Sequence, residues 1–204
     1  MARIKKQVFE IVNDLMAAVK PSTYCDFVAN NQDNLVHKHY HDNEYGYQLM
    51  DDRELFGRLI LEINQAGLSW TTILNKQDNF RKAFHDYDIS KIAKYNEKDR
   101  ARLLSNAGII RNRLKVDAVI HNAQQILLLQ KGNGSFYNWL ELHHPKTKDE
   151  WVKLFKKTFK FTGGEIVNEF LMSAGFLPGA HHESCPYYKK VLKSKPLWKN
   201  ERNS

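Results

Sequence analysis

Cys25 is followed by His37, His39 and His41, and Cys185 closes the segment HHESC with His181 four residues before it. These are the only two cysteines of the 204-residue chain. One zinc ion taking a thiolate and an imidazole from each end would fill a closed tetrahedral Cys2His2 site and clip the N-terminal region to the C-terminal one. The gap between the half-sites is long, so on residue types alone two ordinary cysteines and solvated histidines are the plainer reading. A disulfide is a third option, but two cysteines lack the density of a secreted, disulfide-held scaffold.

Glu62 is the second residue to stand out. It lies in LILEINQAGLSW (59–70), between Leu61 and Ile63 and close to one helical turn after Leu59. A buried carboxylate without a partner is costly, so a glutamate in that apolar setting calls for a partner or a function. The bland alternative is a glutamate on the solvent face of its helix.

The elements that must position these residues read as helices nearly throughout. Ile4, Val8, Phe9, Val12, Leu15, Met16 and Val19 form one apolar stripe, which predicts an amphipathic helix over 4–19. Pro21-Ser22 ends it, and residues 22–50, rich in Asn, Asp, His and Tyr, read as irregular chain. Leu55, Phe56, Leu59, Ile60 and Ile63 mark a second helix that Gly67 closes, and Ser69 can cap a third, WTTILNKQDNFRKAF. Short helices follow at 89–95 and 97–105, a long one over about 112–130 that KGNGS breaks, and others at 135–143, 148–157 and 165–174. No strict alternation marks a strand, and no repeat or Ser/Gly linker divides the chain. The expectation is a compact all-α fold: an extra N-terminal helix (1–20), a helical domain (21–190) and a basic tail (191–204).

Hydrophobic residues make up 42% of the chain and aromatics 12%, which suits a folded globule. The net charge of +8 draws polyanions, nucleic acid foremost. No apolar stretch approaches the length of a membrane span, and charges run through the N-terminus, unlike a signal peptide. A cytoplasmic protein with reduced thiols is expected.

YHDNEYG (40–46), LEINQAGLSWTTILNK (61–76) and NAGIIRNRLKVDAVIHNA (106–123) resemble one family, the constitutive bacterial type I 3-methyladenine DNA glycosylases. FKFTGGEIVNEFLMSAG (159–175) looks like a diverged version of the family's hairpin, and the resemblance covers roughly residues 24–188. It implies a bilobal, all-α helix-hairpin-helix fold whose ends are joined by one structural zinc, with ligands mapping onto Cys25, His41, His181 and Cys185. His37, His39 and His182 stay open as alternatives, each more simply a surface imidazole.

The implied activity is base excision: a monofunctional glycosylase hydrolysing the N-glycosidic bond of 3-methyladenine in alkylated duplex DNA, in the bacterial cytoplasm and at the nucleoid when in use. No membrane and no obligate protein partner is implied. Such an enzyme takes the base out of the stack and examines it in a pocket. The resemblance places Glu62 as the carboxylate on the base and Tyr40, Trp70, Phe27 and Tyr45 as aromatic walls, suited to a cationic base. It places Leu68 in the gap left by the flipped base, and assigns no catalytic aspartate, leaving Asp42 to a local turn network. Gly163-Gly164 would form the phosphate-binding hairpin turn, with Arg111, Arg113 and Lys115 near a helix start and Lys189, Lys190, Lys193 and Lys195 adding long-range attraction.

Several residues depart from the family pattern. Tyr45 stands where tryptophan is usual, Asn64 where glutamine is common, and the region from 141 to 158 is shorter. In the hairpin, TGGEIVNEF replaces a pattern nearer VGPTxxYSF and brings Glu165 and Glu169 close to a turn that should meet phosphate, where they would oppose DNA. Two rivals follow: a non-catalytic, zinc-containing helical protein that recognises distorted duplex, and an enzyme of the same fold acting on another base or on free nucleosides.

Overall fold

The computed structural model describes residues 23–199, and the helix expected over 4–19 lies outside them. Among the described residues all regular structure is helical. The α-helices run α1 (Tyr24–Asn30), α2 (Leu35–Asn43), α3 (Asp52–Gln65), α4 (Trp70–Leu74), α5 (Gln77–Ala83), α6 (Ile89–Ile92), α7 (Glu97–Ser105), α8 (Arg113–Asn133), α9 (Phe136–His143), α10 (Lys148–Thr158), α11 (Gly164–Ser173) and α12 (Tyr188–Lys193).

The expectation of irregular chain over 22–50 is corrected by α1 and α2. Both start on polar caps that outweigh their modest helix propensity. Thr23 and Asp26 form a capping box at α1, and the Asn34 side chain accepts from the His37 amide at α2. The segment read as one helix from Trp70 to Phe84 is two, α4 and α5, parted at Asn75-Lys76.

Helix α3 is the hub. Every residue from Leu55 to Asn64 is buried, so it is enclosed on all sides rather than amphipathic. Around it gathers a large core that includes Phe56, Phe80, Phe136, Trp151, Phe155 and Phe170. Each such side chain fully withdrawn from water contributes roughly 2–3 kcal/mol. A smaller cluster of Tyr40, Tyr45, Leu74 and Ala180 lies apart from that core, and Trp70 packs against both.

The chain drawn as a basic tail is packed down through Lys199. Val191 and Leu197 are buried, and the Leu197 amide donates to Gln48 Oε1 at 2.7 Å. N- and C-terminal segments also meet at Gly46, whose φ is +82° and whose amide donates to the Ser173 carbonyl at 2.9 Å. A Cβ there would sit 2.6 Å from that of Ala180, so only glycine allows the approach.

Candidate active site and metal centre

The donors predicted from opposite ends of the chain converge. Cys25 comes from α1 and His41 from α2, while His181 and Cys185 come from the segment between α11 and α12. Their four ligand atoms lie within 4.8 Å of one another. His41 Nε2 is 3.4 Å from Cys25 Sγ and 3.7 Å from Cys185 Sγ, and His181 Nδ1 is 3.6 and 3.4 Å from the same two sulfurs. With Zn–S of about 2.3 Å and Zn–N of about 2.0 Å, a tetrahedral ion separates its S and N donors by about 3.6 Å. The residues therefore fit the group.

The outer nitrogens are committed as a metal site requires. His41 Nδ1 is 2.8 Å from Asp42 Oδ1, and His181 Nε2 donates to the Tyr45 carbonyl at 2.8 Å, so each ring turns its other nitrogen to the centre. Burial holds His181 neutral, its pKa near 4, and pushes the Cys25 thiol up to about 11. The two thiols are not joined. His39 and His182 are exposed, whereas His37 is buried, not the surface imidazole expected. Its Nδ1 meets the Tyr24 hydroxyl at 2.9 Å and its Nε2 the Thr71 hydroxyl at 2.8 Å.

Beside this centre a cavity of about 410 Å³ is lined by Thr23, Tyr24, Tyr40, Tyr45, Glu62, Gln65, Trp70, Glu169, Met172 and Gly179. Its rings meet edge to face or tilted: Tyr40–Trp70 at 5.2 Å, Tyr24–Tyr45 at 5.2 Å and Tyr40–Tyr45 at 5.5 Å between centroids. Glu62 is 4% exposed, and its carboxyl is pushed up to about 8 by burial first and by Glu169 second, with Arg58 opposing. Burial likewise raises the Glu169 carboxyl, which accepts from the Tyr45 hydroxyl at 3.2 Å.

Behind Tyr40 lies a buried cation. Arg58 donates to the Tyr40 hydroxyl at 2.7 Å and to Glu44 at 3.2 Å, with its guanidinium 4.8 Å from the Tyr40 ring centre.

A four-donor cluster that could hold a metal ion thus adjoins an aromatic cavity with buried carboxyls. A family model described as methyladenine glycosylase matches residues 29–188. The chain belongs to the methyladenine glycosylase family. DNA-3-methyladenine glycosylase 1 of Escherichia coli strain K12 is 36% identical over 168 residues, which cover 73% of this chain and 89% of that protein. DNA-3-methyladenine glycosylase of Haemophilus influenzae is 32% identical over 184 residues, 81% of this chain and 97% of that one. A solved 3-methyladenine DNA glycosylase I, a tyrosine-to-phenylalanine variant in complex with 3-methyladenine, is 32% identical with a TM-score of 0.69 over 74% of this chain and 91% of its own.

In this methyladenine glycosylase family member, four residues named from the sequence, Tyr40, Tyr45, Glu62 and Trp70, share the cavity. Phe27 does not line it; its ring stacks on Tyr24 at 6.1 Å and abuts His37, and Tyr24 is the wall in its place. Glu169 was expected at a phosphate-binding turn, yet it lies mid-way along α11 and reaches the cavity, while Glu165 is exposed and paired with Lys148 at 2.9 Å. Arg58 and Tyr24 were missed. An arginine within an otherwise apolar helix is the same signal that singled out Glu62.

The remaining predicted residues sit at two turns. Ala66 (φ −51°, ψ 117°) and Gly67 (φ +80°) have the backbone of a type II turn, which needs glycine at its third position, and the turn presents Leu68 at 39% exposed. Lys115 is buried and not on a phosphate-facing surface. Its Nζ donates to the Asn64 and Ala66 carbonyls at 2.8 and 2.7 Å, which braces this turn from α8. The second turn links α10 to α11. Asn122 pins it by accepting from the Lys160 amide at 2.8 Å and donating to its carbonyl at 3.0 Å. Gly163 and Gly164 open α11 with no atom near where a Cβ would stand. Phe161 is 37% exposed beside them, and Lys115 Nζ lies 5.9 Å from its ring centre, so both turns border Lys115. Arg111 and Arg113 are exposed at the start of α8, with Arg113 3.6–3.7 Å from Glu97 and Asp117.

Proposed function

We propose that the protein is a monofunctional DNA glycosylase that hydrolyses the N-glycosidic bond of 3-methyladenine in alkylated duplex DNA. One observation carries the reading: an aromatic cavity with Glu62 buried in its wall, in a member of the methyladenine glycosylase family. The proposed base is a cation while attached to the sugar, and the rings of Tyr24, Tyr40, Tyr45 and Trp70 offer it electron-rich surfaces. Glu62, protonated without base, gives up its proton to solvent as the cation binds, accepts from the base's N–H groups and stabilises its charge.

The reaction then asks little more. The C1′–N9 bond breaks with its electron pair going to the base, which leaves neutral, and water adds at C1′ with loss of a proton to give an abasic site. No aspartate is among the cavity-lining residues, and Glu62 and Glu169 are the carboxyls that face it. On this reading Leu68 fills the gap left by the extruded base. Arg111, Arg113 and the amides opening α11 at Gly163-Gly164 hold phosphates. The non-catalytic rival has no use for a buried carboxyl facing aromatic walls.

Cys25, His41, His181 and Cys185 hold one zinc ion in this proposal. Four protein ligands leave no open position, so the ion supplies no catalytic water and joins the chain ends. The extra N-terminal segment (1–20) is proposed as an addition to the glycosylase domain. No helix among the described residues is long and apolar enough to cross a membrane. The bacterial relatives support action on chromosomal DNA in the cytoplasm.

The test is release of free 3-methyladenine from methylated duplex by wild type and Glu62→Gln. Release by wild type, reduced by about 100-fold or more in the variant with duplex affinity kept, is expected. Duplex binding with no release by wild type would favour the binding-protein rival.

A further inference from the structure

Glu169 stands in the cavity as a second carboxyl, and the hydrolysis described above does not use it. It is half-buried on α11, held by the Tyr45 hydroxyl, and close enough to Glu62 to hold up that group's pKa. The charges around the pair can be followed one by one. Glu62 faces the cavity from α3, Tyr24 from α1, Tyr40 from α2, and Tyr45 from the chain between α2 and α3. Arg58, behind Tyr40, is engaged by Glu44. Lys148 and Glu165, outside Glu169, pair with each other. No arginine, lysine or histidine is among the lining residues. Two acids therefore share one small, ring-walled space with no basic side chain in it. A cationic purine seated between the two acids draws off the proton that burial keeps on Glu62 and pairs with both, whereas a neutral purine offers them no charge.

We propose that Glu169 is a specificity-determining residue, which makes the cavity select N-alkylated, positively charged purines over neutral purines of the same shape. This rests on the base-binding reading of the cavity. An alkylated base still on its sugar carries that charge, and ordinary adenine does not. The second carboxyl thus favours the alkylated base over the undamaged one where shape alone separates the two by a single methyl group, a difference that packing discriminates weakly.

Two probes and the full-length protein test it: 3,9-dimethyladeninium, whose charge is fixed, and neutral 9-methyladenine, with affinities measured calorimetrically at pH 7. Wild type should favour the cation. Glu169→Gln keeps an acceptor for the Tyr45 hydroxyl, and should lower the cation-to-neutral affinity ratio by about tenfold or more, one charge pair at short range. Glu169→Ala should do the same, with neutral-base affinity little changed in both. A ratio held within about twofold in both variants overturns the proposal and leaves the base-binding reading intact. Loss of neutral-base binding in both also overturns it, since Glu169 would then be shaping the cavity through Tyr45. If wild type binds neither probe, the base-binding reading itself falls.

Discussion

His181 Nε2 donates to the carbonyl oxygen of Tyr45 at 2.8 Å, so one residue of the candidate metal centre fixes the backbone of a cavity wall. The same tyrosine presents its hydroxyl to Glu169. The four-donor centre and the cavity are thus adjoining parts of one structure. Stripping the metal with a chelator should lower stability and weaken 3-methyladenine binding together. An ion bound only by the folded state, at a hundred times its Kd, adds about 2.7 kcal/mol, so stability to urea should fall by about that amount. Metal analysis should find one zinc per chain, lost in Cys185→Ser. Purified protein without stoichiometric zinc, or unfolding indifferent to it, would remove the centre from the account.

Arg58 offers a test of the wall from behind. It is buried, and its substitution by methionine would leave Glu44 without its arginine and the Tyr40 hydroxyl without its donor. Breaking one side of a buried ion pair costs about 3–5 kcal/mol; Glu44 is partly solvated and also accepts from Gln77, which points to the lower end. Because Arg58 also draws the Glu62 carboxyl down, the variant should raise that pKa further, visible as a shift to higher pH in base binding. A variant as stable as wild type would show that the pair contributes nothing.

How far the sequence disclosed this can be argued from particular residues. Helices α3 and α8 were legible because long apolar-rich stretches end at Gly67 and KGNGS, and the four-donor cluster because there are two cysteines, each near histidines, at the positions the family resemblance requires. Helices α1 and α2 were not, since YCDFVAN and LVHKHYHDN are poor in strong helix formers and rest on caps and tertiary packing. Phe27 and Tyr24 are three residues apart on α1, and periodicity does not say which ring faces the cavity. Glu169 was misplaced because its neighbours in sequence suggest a phosphate turn, while its direction is set by where α11 packs.

Glu62 yields a pH dependence with a definite sign. Its carboxyl is pushed up to about 8 by burial first and by Glu169 second, against an ordinary value of 4.5. Between roughly pH 5 and 8 the folded protein keeps a proton that the unfolded chain has given up, so stability falls as pH rises through that window. Glu62→Gln carries no such proton. The stability of wild type relative to this variant should therefore decline by about 3.5 kcal/mol from pH 5 to pH 8, measured by urea unfolding without bound base. A constant difference would mean that the carboxyl titrates at its ordinary value.

Lys115 and Leu68 separate DNA engagement from base recognition. The lysine is buried with its Nζ committed to the Asn64 and Ala66 carbonyls, and the turn it braces presents Leu68 outward. Lys115→Met fills most of the same volume and leaves two carbonyls without that donor, at a cost of about 2 kcal/mol. The turn should loosen and Leu68 lose its position, while the cavity walls from α1, α2 and α11 stay in place. Base release from duplex should fall by about tenfold, with calorimetric affinity for free 3-methyladenine reduced less, since Gln65 and Trp70 alone of the cavity lining flank that turn. Leu68→Ala should show the same division with a smaller loss of stability, because the residue is 39% exposed and its truncation leaves the Lys115 hydrogen bonds in place. If Lys115→Met impairs free-base binding as much as release from DNA, the lysine supports the cavity and not the turn.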